Sequence, residues 1–359
     1  MHRYYKDIYR GKRVLLTGHT GFKGSWLKAW LHELGAEVTG LSLGPVSNPS
    51  HSDLLGLNGI SVTGDIRDAE LMKTALASGK PDIVFHLAAQ PLVRRSYADP
   101  KETFETNILG TVNLFEAIRN TPSVKAVVNV TTDKVYRNKE EGIAYKETDI
   151  LGGHDPYSTS KACVELIHES YVKSFFKEAG IASATARAGN VIGGGDWAED
   201  RLIPDIVRNA NAGSATEIRN PHSIRPWQHV LDPLSGYLLL GMHLLERNRI
   251  AEDAWNFGPD PEGCLSVSGV LDLFGKHWTG IRWNDISDER KVHESAVLRL
   301  DCSKAKEDLG WAPTWDILMA IEKTAAWYKT YYNDGVILTK GDLAEYLANA
   351  KAKKAIWAI

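Results

Sequence analysis

Val14-Leu15-Leu16-Thr17-Gly18-His19-Thr20-Gly21-Phe22-Lys23-Gly24 is the stretch that decides the fold. Three apolar residues make a short buried strand, and three glycines spaced G-x-x-G-x-x-G follow at once. A helical pattern over residues 23–34 comes next and stops at Gly35. A strand-to-helix turn of this kind lets Gly18 turn sharply, brings the backbone at Gly21 next to a pyrophosphate, and lets Gly24 pack the helix on the sheet. The start of the helix adds free N–H groups and a positive dipole end that suit phosphates. A glycine triplet alone also occurs in turns that bind nothing; its seat between strand and helix carries the reading.

Outward from this turn, short apolar runs alternate with helical patterns. Strands are expected over residues 37–43, 60–62, 82–87 and 124–130, with another beginning at 184. Helices are expected over 101–119 and 156–179, and two more near the end over 316–332 and 340–354. This alternation predicts βαβ units, hence an α/β fold with a doubly wound, Rossmann-type parallel sheet. The C-terminal part is less regular and rich in tryptophan, and reads as a smaller, mixed domain.

Composition narrows the function. The chain has 359 residues, 43% hydrophobic and 24% charged, which excludes a disordered chain. The net charge of -3 and the lack of a Lys/Arg run exclude a polyanion partner held by a global field, so no nucleic acid is expected. Cys163, Cys264 and Cys302 are too far apart for a disulfide framework or a CxxC site, and the histidines show no metal-binding spacing, so no metal is expected. No apolar run approaches roughly 18 residues, and residues 1–13 lack the features of a signal peptide. A cytoplasmic protein with no membrane partner is the expectation.

The second strand ends in Leu41-Ser42-Leu43-Gly44, without the acid that holds the adenosine ribose of NAD. No Lys or Arg lies between Val38 and Ile66, so a cradle for a 2′-phosphate is missing too, which weighs against NADP more than against NAD. Ser42 and Asn48 are left as candidate ribose partners. Asp65 and Ile66, in Gly64-Asp65-Ile66-Arg67-Asp68, are placed either to meet the adenine or to form a local Asx-type turn.

Tyr157-Ser158-Thr159-Ser160-Lys161 is the chemical centre. Residues at i and i+4 share a helix face, so phenol and ammonium can meet one ligand. A phenol titrates near ~10, and a neighbouring cation, with a positive nicotinamide ring, favours the phenolate that a base requires. Tyr97 and Lys101 repeat the spacing, but Pro100 interrupts it. The fifth strand runs into Thr131-Thr132-Asp133-Lys134. Its C-terminal end faces the ligand crevice of such a sheet, where Thr132 can bond the hydroxyl that Tyr157 deprotonates and Asp133 with Lys134 adds an acid/base pair.

These pieces resemble the extended short-chain dehydrogenase/reductase family. The matching residues are Thr17 to Gly24, Asp65, Ile66, His86-Leu87-Ala88-Ala89-Gln90, Asn107, Thr132, Tyr157 and Lys161. Downstream, Arg187-Ala188-Gly189-Asn190-Val191, Arg225-Pro226-Trp227-Gln228-His229-Val230 and Asn256-Phe257-Gly258 look like its sugar-nucleotide half. The resemblance implies NAD as cofactor, contacted by Gly18, His19, Thr20, Gly21, Phe22, Lys23, Gly24, Asp65, Ile66, Leu87, Ala88, Ala89, Gln90, Asn107, Thr131, Tyr157 and Lys161. It implies a dinucleotide-binding domain over 1–187, with part of 229–258 returning to it, and a sugar-nucleotide domain over 188–359. For the substrate diphosphate it implies Asn190, Arg201, Arg225 and Arg290.

The acid/base pair after the threonine resembles the family's 4,6-dehydratases rather than its 4-epimerases. The dehydratases acting on dTDP-glucose carry Glu where Lys134 stands. The full strings Thr17 to Leu27, Thr132 to Tyr136 and Gly194 to Pro204 resemble the branch acting on CDP-glucose. An epimerase is the nearest rival, and a non-catalytic dinucleotide sensor is a rival of another class that the Tyr157–Lys161 pair opposes. Relatives associate through two long helices, which here implies a homodimer or homotetramer built on residues 101–119 and 156–179.

Overall fold

The computed structural model describes residues 4–139, 141–287 and 297–359. Its strands are β1 Arg13–Thr17, β2 Glu37–Ser42, β3 Ile60–Thr63, β4 Ile83–His86, β5 Ala126–Val130, β6 Ala182–Ala188, β7 Asn190–Ile192, β8 Thr216–Ile218, β9 Ile224–His229, β10 Ala254–Phe257, β11 Cys264–Ser266 and β12 Trp283–Asp285. Seven of them form one sheet in the order β10-β6-β5-β4-β1-β2-β3, and every neighbouring pair is parallel. The order reverses between β1 and β4, which makes the crevice above those two strands the ligand site of a doubly wound sheet. The expected Rossmann-type sheet is present, and β10 brings the chain back to its far edge beside β6.

The apolar runs stand in the sheet interior because helices cover both faces. Val14 and Leu16 of β1 join the core cluster that includes Trp26 and Trp30 from the helix Phe22–Glu33 and Leu234 and Leu238 from the helix Leu231–Leu245. Leu15, between them, faces the opposite cluster with Met72, Leu114, Phe115 and Phe176. Residues 100–119 run helically from Pro100–Phe104 through a wider π turn at Glu105–Leu109 into Gly110–Arg119. The helix Pro156–Tyr171 continues through a second π turn, Val172–Phe176, to end at Gly180, whose φ of 67° makes a left-handed stop.

The smaller part is mixed, as expected. It holds a three-stranded sheet, β11-β9-β7, with one parallel and one antiparallel pair, and the parallel pair β8-β12. The two terminal helices are Ile317–Asp334 and Thr339–Ala352. Trp357 ties the two ends of the chain together by stacking on Tyr5 at 5.0 Å between centroids, and within the C-terminal part Trp327 lies where a side chain on Gly194 would have to be, 2.0 Å from its built Cβ. Cys163 and Cys264 are half-buried, Cys302 is buried, and all three thiols are free. Among the described residues, no helix is long and apolar enough to cross a membrane.

Candidate active site

The glycine turn forms a cradle with no room for side chains. Gly18 has a φ of +75°, and a Cβ on it would sit 2.8 Å from the Ala88 nitrogen; a Cβ on Gly24 would sit 2.0 Å from the Gly18 carbonyl oxygen. Gly21 N-caps the helix Phe22–Glu33 without any side-chain cap, whereas Asp155 caps the tyrosine helix through Ser158 N. The uncapped N–H groups of the first helix are the donors a pyrophosphate needs. Thr17 holds the neighbouring loop: its hydroxyl accepts from Leu87 N at 3.1 Å and Ala88 N at 3.2 Å. These residues fit a dinucleotide.

Several expected cofactor residues are braced by the protein itself. The Asn107 amide accepts from Gln90 N at 2.8 Å, and donates to the Gln90 carbonyl at 3.1 Å and to Ser160 Oγ at 2.8 Å. It therefore ties the loop after β4 to the tyrosine helix. Asp65 accepts from Arg67 N at 2.9 Å and from its guanidinium, an Asx-type turn that holds the carboxyl below the usual range. Ile66 is buried beside Gly110, where a side chain would come within 2.6 Å of it. His19 fills the space beside the end of β2, with Nδ1 2.9 Å from Ser42 Oγ and Nε2 2.8 Å from Ser61 Oγ. Its burial lowers the imidazole pKa to about 4, so the ring is neutral, and Gly40 is bare where that ring lies. Thr20 also contacts Ser42 at 3.0 Å, so the hydroxyl expected for the ribose is already engaged by two protein groups.

Tyr157 and Lys161 lie on the first turns of Pro156–Tyr171, and both are buried. Lys161 donates to the Val130 carbonyl at 3.2 Å, and burial lowers its pKa to about 8 against the pull of Glu165. The expectation that Lys161 brings the phenol toward neutrality is not met in the chain alone. Burial dominates and pushes Tyr157 up to about 12, opposed by its hydrogen bond with Thr132 and the charge of Arg201.

Thr132, Asp133 and Lys134 follow β5 into a single 3-10 turn that Thr132 caps through Lys134 N. The Thr132 hydroxyl donates to Asp133 Oδ1 at 3.0 Å. Asp133 is 1% exposed, and its Oδ2 is buried without a protein hydrogen-bond partner among the described residues. A side chain on Gly189 would come within 2.9 Å of that oxygen, so the glycine keeps the approach open. Lys134 is half-buried at the edge.

Of the expected diphosphate residues, Arg201 pairs with Asp196 at 3.5 Å and its charge reaches Tyr157. Asn190 is half-buried on β7, and Arg225 is buried on β9, bonding the Ile224 carbonyl at 2.9 Å. Arg290 lies outside the described residues. Tyr97 is 37% exposed on Val93–Ala98, and Lys101 is exposed on Pro100–Phe104. Among the described residues no group of His, Cys, Asp or Glu is placed to hold a metal.

Sequence reasoning missed what stands behind the site. Glu165 accepts from Thr131, from Thr185 at 2.7 Å and twice from Arg187, and Arg187 also donates to Tyr136 at 2.9 Å. The signals were there: Glu165 is one turn beyond Lys161, and Arg187 is the lone charge in an alanine-rich strand. Tyr237, beside Lys23, was equally unmarked.

A model of the NAD dependent epimerase/dehydratase family matches residues 14–255. The chain is 46% identical over 352 residues to CDP-glucose 4,6-dehydratase of Salmonella typhimurium, covering 96% of this chain and 98% of that one. It is 31% identical to dTDP-glucose 4,6-dehydratase of Streptomyces antibioticus, covering 88% of this chain and 92% of that one. A dTDP-glucose 4,6-dehydratase of Streptomyces venezuelae, solved with NAD bound, superposes with a TM-score of 0.74 at 26% identity, covering 90% and 98% of the two chains. A UDP-glucose 4-epimerase of Thermus thermophilus shares the fold at a TM-score of 0.77 and 24% identity, covering 88% of this chain and 99% of that one. The chain belongs to the NAD-dependent epimerase/dehydratase family.

Proposed function

We propose that this chain is a CDP-glucose 4,6-dehydratase, converting CDP-D-glucose to CDP-4-keto-6-deoxy-D-glucose with loss of water and retaining NAD+. The observation that carries the dehydratase reading is the buried Asp133, with one oxygen on Thr132 and the other without a hydrogen-bond partner among the described residues, beside Tyr157. The nearly full-length similarity to the Salmonella enzyme supports CDP as the nucleotide.

Bound NAD+ supplies reversible acceptance of a hydride, so dehydration proceeds without net redox. Tyr157 takes the proton of the C4 hydroxyl, whose oxygen Thr132 holds. Lys161 holds the nicotinamide ribose and offsets the phenolate charge. Lys134 removes the C5 proton, made acidic by the 4-ketone, and Asp133 protonates the leaving C6 hydroxyl. The proton taken at O4 has a short route to the leaving water, from Tyr157 through the Thr132 hydroxyl to Asp133 Oδ1. Asn190, Arg201, Arg225 and Arg290 hold the substrate diphosphate, in a domain over 188–359. The first domain spans 1–187 and regains part of 229–258.

The reading includes a cytoplasmic homodimer or homotetramer supplying deoxysugar for O-antigen synthesis. Leu109 and Leu166, each 55% exposed on the two long helices, support the helix-bundle contact. Incubation with a panel of nucleoside diphosphate glucoses tests the activity. Only CDP-glucose is expected to give an alkali-sensitive 4-keto product, lighter than substrate by one water. A response to another nucleotide alone would move the specificity, and a product of unchanged mass would mean an epimerase.

A further inference from the structure

Asp200 stands in the left-handed region, with a φ of 58°, in the segment between β7 and the helix Leu202–Asn211. Its Oδ1 accepts from Arg94 Nη1 at 2.5 Å and from Arg219 Nη2 at 3.4 Å. Arg94 belongs to the helix Val93–Ala98, which follows the loop after β4 at the crevice edge of the parallel sheet. Arg219 follows β8 in the smaller part. One carboxylate oxygen thus joins the two parts of the molecule. The next residue, Arg201, is in the diphosphate set and its charge reaches Tyr157, so the bridge stands beside the site.

The root of this segment is fastened to the core. Trp26 Nε1 donates to the Gly194 carbonyl at 2.9 Å, Asp196 N to Tyr328 Oη at 2.9 Å, and Arg208 Nη1 to the Trp197 carbonyl at 2.7 Å. Its tip, Glu199 and Asp200, is exposed. The side chains of Arg94, Asp200 and Arg219 are 49%, 38% and 36% exposed. Ion pairs at such exposure are weak and screened by salt, so this bridge can form and break where a buried one could not. Left-handed backbone outside glycine persists where its surroundings hold it, and the two arginines supply that hold.

Dehydration by this route needs its sugar retained. Between oxidation at C4 and reduction at C6 the sugar is a ketone and the cofactor is reduced. A sugar that leaves in that interval is short of two hydrogens and strands the cofactor in the reduced form. We propose that Asp200, bridging Arg94 and Arg219, latches the two parts of the molecule over the bound sugar nucleotide until C6 has been reduced. The inference rests on the dehydratase reading above.

The test uses the full-length protein and two readouts. One is the dissociation rate of radiolabelled CDP, which needs no turnover. The other, with NAD+ and saturating CDP-glucose, is the amount of CDP-4-ketoglucose released per dehydrated product, with one reduced cofactor left for each release. Asp200→Asn keeps a residue that tolerates left-handed backbone and removes the charge both arginines share. It is expected to raise each readout roughly fivefold. Arg94→Met and Arg219→Met in one chain should do the same, and adding Asp200→Asn to them should do no more. Raising salt from about 0.01 M to about 1 M should raise both readouts more in the unaltered protein than in Asp200→Asn. Unchanged readouts in Asp200→Asn would overturn the inference with the dehydratase reading intact. So would slower CDP release, which would mean that Asp200 only holds the arginines away from the nucleotide. A product of unchanged mass from the unaltered protein would overturn both readings.

Discussion

Arg187 and Glu165 are locked together by two hydrogen bonds of 2.9 Å, with both side chains only 4% exposed. Through Thr131 and Tyr136 the pair braces both ends of the segment that carries Thr132 and Asp133, while Glu165 grows from the helix that carries Tyr157 and Lys161. Removing one partner strands the other charge in the interior. Arg187→Met is expected to cost about 3–5 kcal/mol, and the double replacement Arg187→Met with Glu165→Leu to recover much of it. Urea denaturation of the three proteins decides this. The Arg187 guanidinium and two threonine hydroxyls, winning over burial, hold the Glu165 carboxyl below its ordinary 4.5. That contribution to stability is thus present above pH 4.5 and lost as pH falls through the lowered value.

Asp133→Asn separates the two halves of the reaction. The amide oxygen still accepts from Thr132, so stability should change by less than about 1 kcal/mol. The proton for the leaving hydroxyl is gone, whereas oxidation at C4 needs only Tyr157, Thr132 and Lys161. Substrate should therefore build up the near-ultraviolet absorbance of reduced cofactor without forming the 6-deoxy product. Product release at the unaltered rate would remove Asp133 from its role.

Two glycine replacements should behave differently. In Gly24→Ala the new methyl meets the Gly18 carbonyl at 2.0 Å, and that backbone cannot yield without opening the phosphate cradle. The expected result is a loss of about 1–3 kcal/mol in stability together with weak NAD binding. In Gly40→Ala the obstacle is the His19 ring, 2.3 Å away, a side chain able to rotate. Gly40→Ala should then cost less, and calorimetry of both variants with and without NAD checks the ranking.

Asp232 gives the fold a dependence on pH. It is fully buried and accepts from Thr314 N at 2.7 Å and Tyr346 Oη at 2.8 Å, yet burial outweighs these bonds and raises its pKa to about 7. The folded state binds this proton more tightly than the unfolded chain. Its contribution is fully present below the ordinary 3.8 and lost as pH rises through about 7. Asp232→Asn keeps the hydrogen-bond acceptor without the charge, so its melting temperature should fall less than that of the unaltered chain between pH 5 and 8, conditions chosen to span ~7.

Local sequence determined the parallel sheet and the glycine turn, and it marked Thr132, Tyr157 and Lys161 as a candidate constellation. Those features depend on periodicity, on positions where a side chain cannot fit, and on spacings along one helix or one strand end. Only the tertiary structure decided what surrounds them. The partners are distant in sequence: Glu165 meets Arg187, Lys23 meets Tyr237, and His19 settles between Ser42 and Ser61. The same packing sets the Tyr157 phenol in the chain alone, where desolvation outweighs the pull of its neighbours. Burial and partner choice are properties of the assembled core, and a charge has no pKa shift to read until the chain has closed around it.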